Sequence, residues 1–469
     1  MPHAVPAASS SLLELAIELD RESATPLAVQ LADALRTAAT DGQVRGGDRL
    51  PSTRALARHL GVSRTVTAAA YEQLHAEGWI VGHRGSGTYV TTTPPGAAGA
   101  GRGPTVRATA ADAGAVDLTP GSPWVGGLDK AAWRRGWRAC ADAPPLPKPV
   151  RAGLPEYREA VVEHLLRHRG LVVDEPRGDA VLVTGGTSAA VTELAVAVFG
   201  RNCTIAVEDP GYQRAVNALR ALGVSVVPVP VDHGGIVVEA IPSGVSAVYC
   251  SPAHQYPIGG RLPADRRIAL VERARAHGWL IIEDDYDGEL RYDVAPLPVL
   301  VSMAPDVVVH LGTTSKILTP TLGVGWMLAP PEVGAAVLEH REVTAIGPAA
   351  AGQRFVAEFA RNGDLGRHLR RLRRELSQRR AMLVDTLAEH DVAVFGDQAG
   401  AHVVLGLPDV ATERRMIADA RQRGVVLDGL ERHHQDEPVW CGVALGYAAC
   451  SREELRRALE LVPALYREG

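Results

Sequence analysis

Apolar residues recur at every fourth position in Leu27, Leu31 and Leu35, between Thr25-Pro26 and Gly42. That spacing predicts a helix over 25–41, with Thr25 as its N-cap and Pro26 in the first turn. Leu50-Pro51-Ser52-Thr53-Arg54 opens a second helix, capped by Ser52 and turning Leu56 and Leu60 inward. Gly61 breaks the chain, Ser63 caps a third helix through about Glu77, and Gly78 stops it. Two short helices joined by a glycine-containing turn are a helix-turn-helix pattern. Trp79-Ile80-Val81 and Thr88-Tyr89-Val90 then flank the glycine-rich Gly82–Gly87, which predicts a β-hairpin wing.

Residues 92–115 are mostly Pro, Gly, Ala and Thr, a low-complexity stretch that predicts a flexible linker. From Val116 onward, strand-like and helix-like runs alternate, as in an α/β domain with a largely parallel sheet. The clearest strands are Ala180–Thr184, Ile205–Val207, Ala247–Cys250, Trp279–Ile282, Val307–Val309 and Leu322–Leu328. Residues 345–469 read as a smaller α+β part. The expected organisation is therefore a helix-turn-helix domain over 12–91, a linker over 92–115, and a body over 116–469 with its large part at about 116–344. The arginine-rich helix near 365–380 reads mainly as a solvated face.

A length of 469 residues fits more than one domain. No apolar run reaches the roughly 18–20 residues of a membrane helix. The N-terminus lacks the basic-then-apolar order of a secretory signal. The five scattered cysteines show no metal-ligand spacing and read as reduced core thiols of a cytoplasmic protein. The net charge of −5 hides a local excess: residues 42–91 hold six arginines against three acids. A basic module on an acidic body is the footprint of double-stranded DNA binding. Ser63, Arg64, Thr65 and Thr67, at the start of the third helix, are the candidates for the major groove. Arg54, His83 and Arg84 are the candidates for phosphate or minor-groove contact. The bland alternative is a helical protein-protein module with solvated arginines.

The chemistry converges on Gly312-Thr313-Thr314-Ser315-Lys316. A lysine in a small, hydroxyl-rich loop between two apolar strands is unusual, because an ammonium is costly to bury without a partner. Lysine is also the side chain that condenses with an aldehyde. Upstream, Trp279–Ile282 ends in Glu283-Asp284-Asp285-Tyr286-Asp287, at the strand end where open α/β sheets hold ligands. Pyridoxal phosphate requires a lysine, a carboxylate at its pyridinium nitrogen and a phosphate cradle. Gly185-Gly186-Thr187-Ser188, opening a helix after a strand, offers backbone N–H groups for the last. Tyr212 is placed to cover a planar ring and Arg214 to meet an anion. Tyr256 lies in an ordered turn at a further strand end. Solvated loops and helix caps remain the structural alternatives for each feature alone.

The stretches Gly47–Ala57, Leu60–Arg64, Ala70–Leu74, Glu77-Gly78 and Gly85–Val90 resemble the winged helix-turn-helix of the GntR family. The body resembles fold-type-I aminotransferases, and the whole chain resembles the MocR regulators, which join the two. The resemblance implies a homodimer whose DNA domains reach the partner's body. It implies pyridoxal 5'-phosphate bound as a Schiff base on Lys316, with Asp284 at the pyridinium nitrogen and Tyr286 near the ring hydroxyl. Gly186, Thr187, Ser188 and Thr313 would hold the phosphate, Tyr256 and Ser315 would belong to the cofactor site, and Tyr212, with Arg214, would border the effector side. This chain departs from that pattern where Gly323 stands for an arginine after the lysine. It departs again where Ala444 stands for the arginine that clamps a substrate carboxylate, and where Lys148 stands for a tyrosine that reaches the partner's phosphate. These losses favour a sensor of pyridoxal phosphate itself, or of an amine or amino acid, over a working aminotransferase. A body that has lost the cofactor is the third reading.

Overall fold

The computed structural model describes residues 17, 19–23, 25–40, 44, 47–83, 87–91, 114–173, 181–200, 202–292 and 298–468. The expected linker lies outside these, apart from its last two residues, and so does the wing tip with Arg84. The side chain of His83 is likewise outside them. The chain divides into two compact units, 1–107 and 108–469.

The first unit contains α1 (Leu27–Thr40), β1 (Arg49–Leu50), α2 (Thr53–Leu60), α3 (Arg64–Ala76), β2 (Ile80–His83) and β3 (Gly87–Val90). The capping read from sequence is present. Ser52 Oγ accepts from Ala55 N at 3.2 Å, Ser63 Oγ accepts from Val66 N at 3.3 Å, and Gly61 turns the chain at φ 62°. Leu31, Ala32 and Leu35 pack with Leu56, Ala70, Tyr71 and Leu74 in one core. β2 and β3 form the hairpin, with β1 on the other edge of β3.

The body is built on strands β4 (Val116–Asp117), β5 (Val181–Thr184), β6 (Thr204–Asp209), β7 (Ser225–Asp232), β8 (Gly235–Ile236), β9 (Ala247–Cys250), β10 (Leu280–Asp285), β11 (Val308–Thr313) and β12 (Gly325–Leu328). Its C-terminal part adds β13 (Val394–Phe395), β14 (His402–Gly406), β15 (Val425–Val426), β16 (Asp428–Gly429) and β17 (Gly442–Gly446). The main sheet has the order β5-β12-β11-β10-β9-β6-β7-β8. Neighbours from β11 to β7 run parallel, while β12 is antiparallel to both β11 and β5. Its central strands are buried on both faces, which is why they read as continuous apolar runs.

The smaller sheet has the order β13-β14-β17-β16. One boundary differs from the sequence reading. β4, the first strand of the body, pairs with β15, so residues 116–118 belong with the C-terminal part. The arginine-rich helix, observed as Asp364–Ala388, is also less solvated than its composition implies. Arg379 is 3% exposed and donates to Tyr447 O, Ala448 O and Cys450 O, while Arg373 Nε donates to Glu289 O. These guanidinium groups satisfy loop carbonyls rather than water.

Candidate cofactor pocket and DNA-reading helix

Parallel pairing sets the pocket. Asp284 lies beside Leu311 and Asp285 beside Gly312, so the C-terminal ends of β10 and β11 emerge together. β12 returns antiparallel, which brings Gly325 opposite both Thr313 and Thr184. The carboxylate strand, the lysine turn and the glycine turn after β5 thus meet at one sheet edge, where ligands bind in such folds.

Side chains on β10 alternate faces. Glu283 and Asp285 are fully engaged: Leu300 N donates to Glu283 Oε1 at 2.7 Å, and Arg169 Nη2 donates to Asp285 Oδ1 at 2.8 Å. Asp284, between them, is only 3% exposed. Its Oδ2 accepts from the Tyr249 hydroxyl, and its Oδ1 has no partner. Burial pushes the Asp284 carboxyl up to about 7, despite the Tyr249 hydrogen bond and nearby Lys316. A buried carboxylate oxygen left open calls for a cation or an N–H group.

Lys316 sits half-buried in the turn after β11, and its Nζ donates to Gly121 O at 2.5 Å. Burial lowers the pKa of its ammonium, more than Asp287 and Asp284 raise it. That shift favours the neutral amine that attacks an aldehyde. The helix Thr187–Leu194 starts at Gly186, φ 105°, with no side-chain cap. Its first N–H groups are therefore available to an anion. A Cβ on Gly186 would lie 3.4 Å from Thr313 Oγ1, and one on Gly325 would lie 2.9 Å from Gly186 Cα. The cradle is thus packed backbone against backbone. Thr313 Oγ1 donates to Ser315 Oγ at 2.9 Å. Ser188 Oγ is 3.2 Å from the Tyr212 hydroxyl. Gly323 adopts φ 58° at the end of a short 3-10 turn, with open space where a side chain would project.

Aromatic rings complete the wall. Tyr256 meets Tyr212 edge-on at 6.1 Å and Tyr286 edge-on at 6.2 Å between centroids. The Tyr286 hydroxyl lies 3.1 Å from His254 Nδ1, which also lies 2.8 Å from Asp287 Oδ2. Arg214, in the first turn of the helix Gln213–Ala221, is exposed, and its charge reaches Lys316, Tyr212 and Tyr256. The structure therefore gathers the expected residues around Lys316. It adds Tyr249 and Gly121, which sequence reasoning missed. Tyr249 lies opposite Ile282 and so shares a face with Asp284, a relation legible only once the strand order is known. Lys148 lies elsewhere, in a surface cavity of about 410 Å³ whose lining includes none of the residues around Lys316.

These features fit pyridoxal phosphate. The open Asp284 oxygen matches a pyridinium nitrogen, the glycine turn matches a phosphate, and Lys316 lies between them on the same edge.

In the first unit, Ser63, Arg64 and Thr65 are exposed on α3, and Arg54 is exposed on α2. Thr67 is a correction. It is 0% exposed, and its hydroxyl lies 2.9 Å from Thr53 O and 3.0 Å from Arg64 O. It joins α3 to the start of α2 and has no access to a base edge. Replacing Arg64 by alanine is expected to weaken specific DNA binding by about 1–3 kcal/mol, the discrimination of a bidentate guanine contact. Equal weakening on every DNA sequence in a binding titration would show a phosphate contact instead.

Together the two units define a DNA-binding regulator whose body has an aminotransferase fold. Residues 149–462 match the model of aminotransferase class I and II. Residues 27–90 match that of the bacterial regulatory proteins of the gntR family. The chain belongs to the MocR-type transcriptional regulators that fuse these two domains. It is 33% identical over 449 residues to the HTH-type pyridoxine biosynthesis transcriptional regulator PdxR of Corynebacterium glutamicum, across 96% of this chain and 98% of that protein. It is 29% identical to the probable rhizopine catabolism regulatory protein MocR of Rhizobium meliloti, across 94% of each chain. Among solved structures, an archaeal alanine:glyoxylate aminotransferase shares the body fold at TM-score 0.69 and 23% identity, over 76% of this chain and 91% of that one. Among the described residues, no helix is long and apolar enough to cross a membrane.

Proposed function

We propose that this transcriptional regulator binds pyridoxal 5'-phosphate at Lys316 and reports occupancy of that pocket to the DNA-binding domain. The observation that carries the reading is the open, buried Asp284 oxygen on the same sheet edge as Lys316. Pyridoxal phosphate supplies an aldehyde that condenses with amines. The chain's own residues do the rest. Asp284 holds the ring nitrogen and Tyr249 orients that carboxylate. Thr187, Ser188, Thr313 and Ser315 would hold the phosphate at the bare helix start, Tyr212 and Tyr256 would exclude water from the ring, and Tyr286 would meet the ring hydroxyl. The effector is then pyridoxal phosphate itself or an amine or amino acid that reaches Lys316. The relative from Corynebacterium glutamicum is named for pyridoxine biosynthesis, which supports the first choice. Regulation requires the effector to bind two states of the protein unequally. A cytoplasmic homodimer is part of the same reading.

The test is a DNA-binding titration of the full chain on fragments it selects from genomic DNA. DNA affinity unaltered by pyridoxal phosphate, and by amines added with it, would sink the sensor reading. A working aminotransferase is the second reading, favoured by the intact Lys316–Asp284 pair. It predicts conversion of an amino acid to its keto acid, where a sensor retains the amino acid unchanged.

In the homodimer, exposed Lys148 is proposed to reach the partner's phosphate, making good the positive charge absent at Gly323. Lys148→Ala is expected to weaken pyridoxal phosphate binding by about 10-fold, the value of one charge-assisted contact. An unchanged dissociation constant by fluorescence titration would remove Lys148 from the site.

A further inference from the structure

The wall behind Tyr286 holds a buried histidine–carboxylate pair. His254 is 2% exposed and Asp287 is 4% exposed. His254 Nδ1 lies 2.8 Å from Asp287 Oδ2 and 3.1 Å from the Tyr286 hydroxyl. One ring nitrogen therefore faces a carboxylate and a phenol at once. An ionised carboxylate can only accept, so the proton of the Asp287 contact belongs to Nδ1. A nitrogen that bears a proton has no lone pair left, and the Tyr286 oxygen can meet it only as a second acceptor. Nε2 of the same ring is buried and has no partner among the described residues. That suits the ring nitrogen without the proton.

The surrounding chain holds this pair in place. Gly400, in the turn between β13 and β14, has φ 68°, and a Cβ there would lie 2.2 Å from His254 Cε1 and 2.8 Å from Asp287 Oδ2. Gly400 N donates to Leu290 O at 2.6 Å. Gly400 O accepts from the Tyr292 hydroxyl at 2.5 Å and the Tyr447 hydroxyl at 2.9 Å. The turn thus closes on the pair backbone-first. The His402 ring of β14 stands 5.2 Å from that of His254, and its Nε2 donates to Pro257 O at 2.9 Å. Burial, with His254 beside it, brings His402 down to about 4, so it is neutral at physiological pH. The Asp287 charge also reaches Asp284, Lys316, Tyr292 and Tyr447. Arg291, on the same segment, is paired with Asp397 at 3.1 Å. Burial, and then Asp287, raise the Tyr286 hydroxyl well above its usual range, so it keeps its proton.

We infer that His254 is a positioning residue of the cofactor site: with Asp287 holding its proton on Nδ1, it makes Tyr286 an acceptor on the protein side and turns the Tyr286 hydroxyl proton toward the ring oxygen of pyridoxal phosphate. The inference rests on the proposed function and adds to it the direction of that hydrogen bond. The ring hydroxyl of pyridoxal phosphate is next to its aldehyde carbon, so the oxygen competes for the proton of the nitrogen that Lys316 supplies. A hydrogen bond donated to that oxygen stabilises its negative charge and lets the shared proton leave at lower pH. With the opposite histidine tautomer the Tyr286 proton would go to Nδ1, and the ring oxygen would lose its donor. His254 thus acts through Tyr286.

The experiment mixes the full-length protein with pyridoxal phosphate and follows its visible absorption against pH. In His254→Leu the midpoint of the titration should rise by about 1 pH unit, the value of one hydrogen bond to a charged group. His254→Asn, whose amide N–H can stand where Nδ1 stands, should return part of the way to the wild-type midpoint. Tyr286→Phe should show the larger rise, and His254→Leu added to it should move the midpoint no further. That non-additivity separates positioning of Tyr286 from a general loosening of the wall. Circular dichroism checks folding, and His254→Ser takes the place of a leucine variant that does not fold. A wild-type midpoint in His254→Leu, or a shift as large in the Tyr286→Phe background as without it, overturns the inference alone. If the wild type gains no visible band, the cofactor reading fails and the inference falls with it.

Discussion

Replacing Lys316 by alanine is expected to abolish the visible absorption that the wild-type protein gains on mixing with pyridoxal phosphate. The change removes the Lys316 amine and leaves the rest of the cradle intact. Lys316 is held by Gly121 O, its pKa is lowered by burial, and it stands at the edge shared by β10 and β11. It is thus both positioned and disposed to react. The glycine turn and Asp284 remain in the variant, so weak binding without the band should persist and be measurable by calorimetry. If the alanine variant shows the wild-type spectrum, another amine carries the cofactor and the assignment is wrong. If the sensor reading holds, the same variant should also lose the response of its DNA affinity to pyridoxal phosphate, even where the cofactor still binds.

Asp284→Asn is expected to act in opposite directions on the empty and the loaded protein. In the empty pocket, burial holds the Asp284 carboxyl near 7, against 3.8 for an ordinary aspartate. The folded pKa is raised, so this group's contribution to stability is fully present below the unfolded value and is lost as pH rises through about 7. The size of that loss is about 4 kcal/mol, from a shift of roughly three units. Asparagine does not titrate. Urea unfolding of the cofactor-free protein between pH 4 and pH 8 should therefore show a declining midpoint in the wild type and a flatter one in the variant. With pyridoxal phosphate the order reverses. The asparagine cannot pair with a pyridinium, and affinity should fall by about 10- to 100-fold. Parallel pH profiles for the two proteins would mean that the Asp284 oxygen is not left open in solution. A group that destabilises the empty fold and strengthens ligand binding is the usual mark of a functional site.

Much of this was legible from local pattern. Ser52, Gly61 and Ser63 act within a few residues of themselves, so the helix-turn-helix could be read directly. The strands ending at Asp284 and before Lys316 were legible because a strand buried on both faces is a run of apolar residues. What escaped depends on contacts between distant segments. Tyr249 meets Asp284 only because β9 and β10 are parallel neighbours in a particular register. Gly121 meets Lys316 across most of the body. Thr67 carries the side-chain chemistry of a DNA-reading residue, and only the packing of α3 on α2 shows that its hydroxyl is consumed internally. Arg379 was read as solvated because composition alone does not reveal the carbonyls at 447–450 that it caps.

The pairing of β4 with β15 bears on how the protein is made. Leu118 O, just ahead of Gly121, accepts from Gly446 N at 2.6 Å. The segment bearing the partner of Lys316 therefore cannot be seated until nearly the whole chain has left the ribosome. The last strand of the winged unit is translated roughly 350 residues earlier, a lead of about 20–70 s at ordinary elongation rates of 5–20 residues per second. Each newly born molecule thus passes through an interval with a complete DNA-reading module and an unfinished pocket. On the sensor reading proposed above, nascent chains in that interval are blind to the effector, and the response to it is gained only at the end of synthesis.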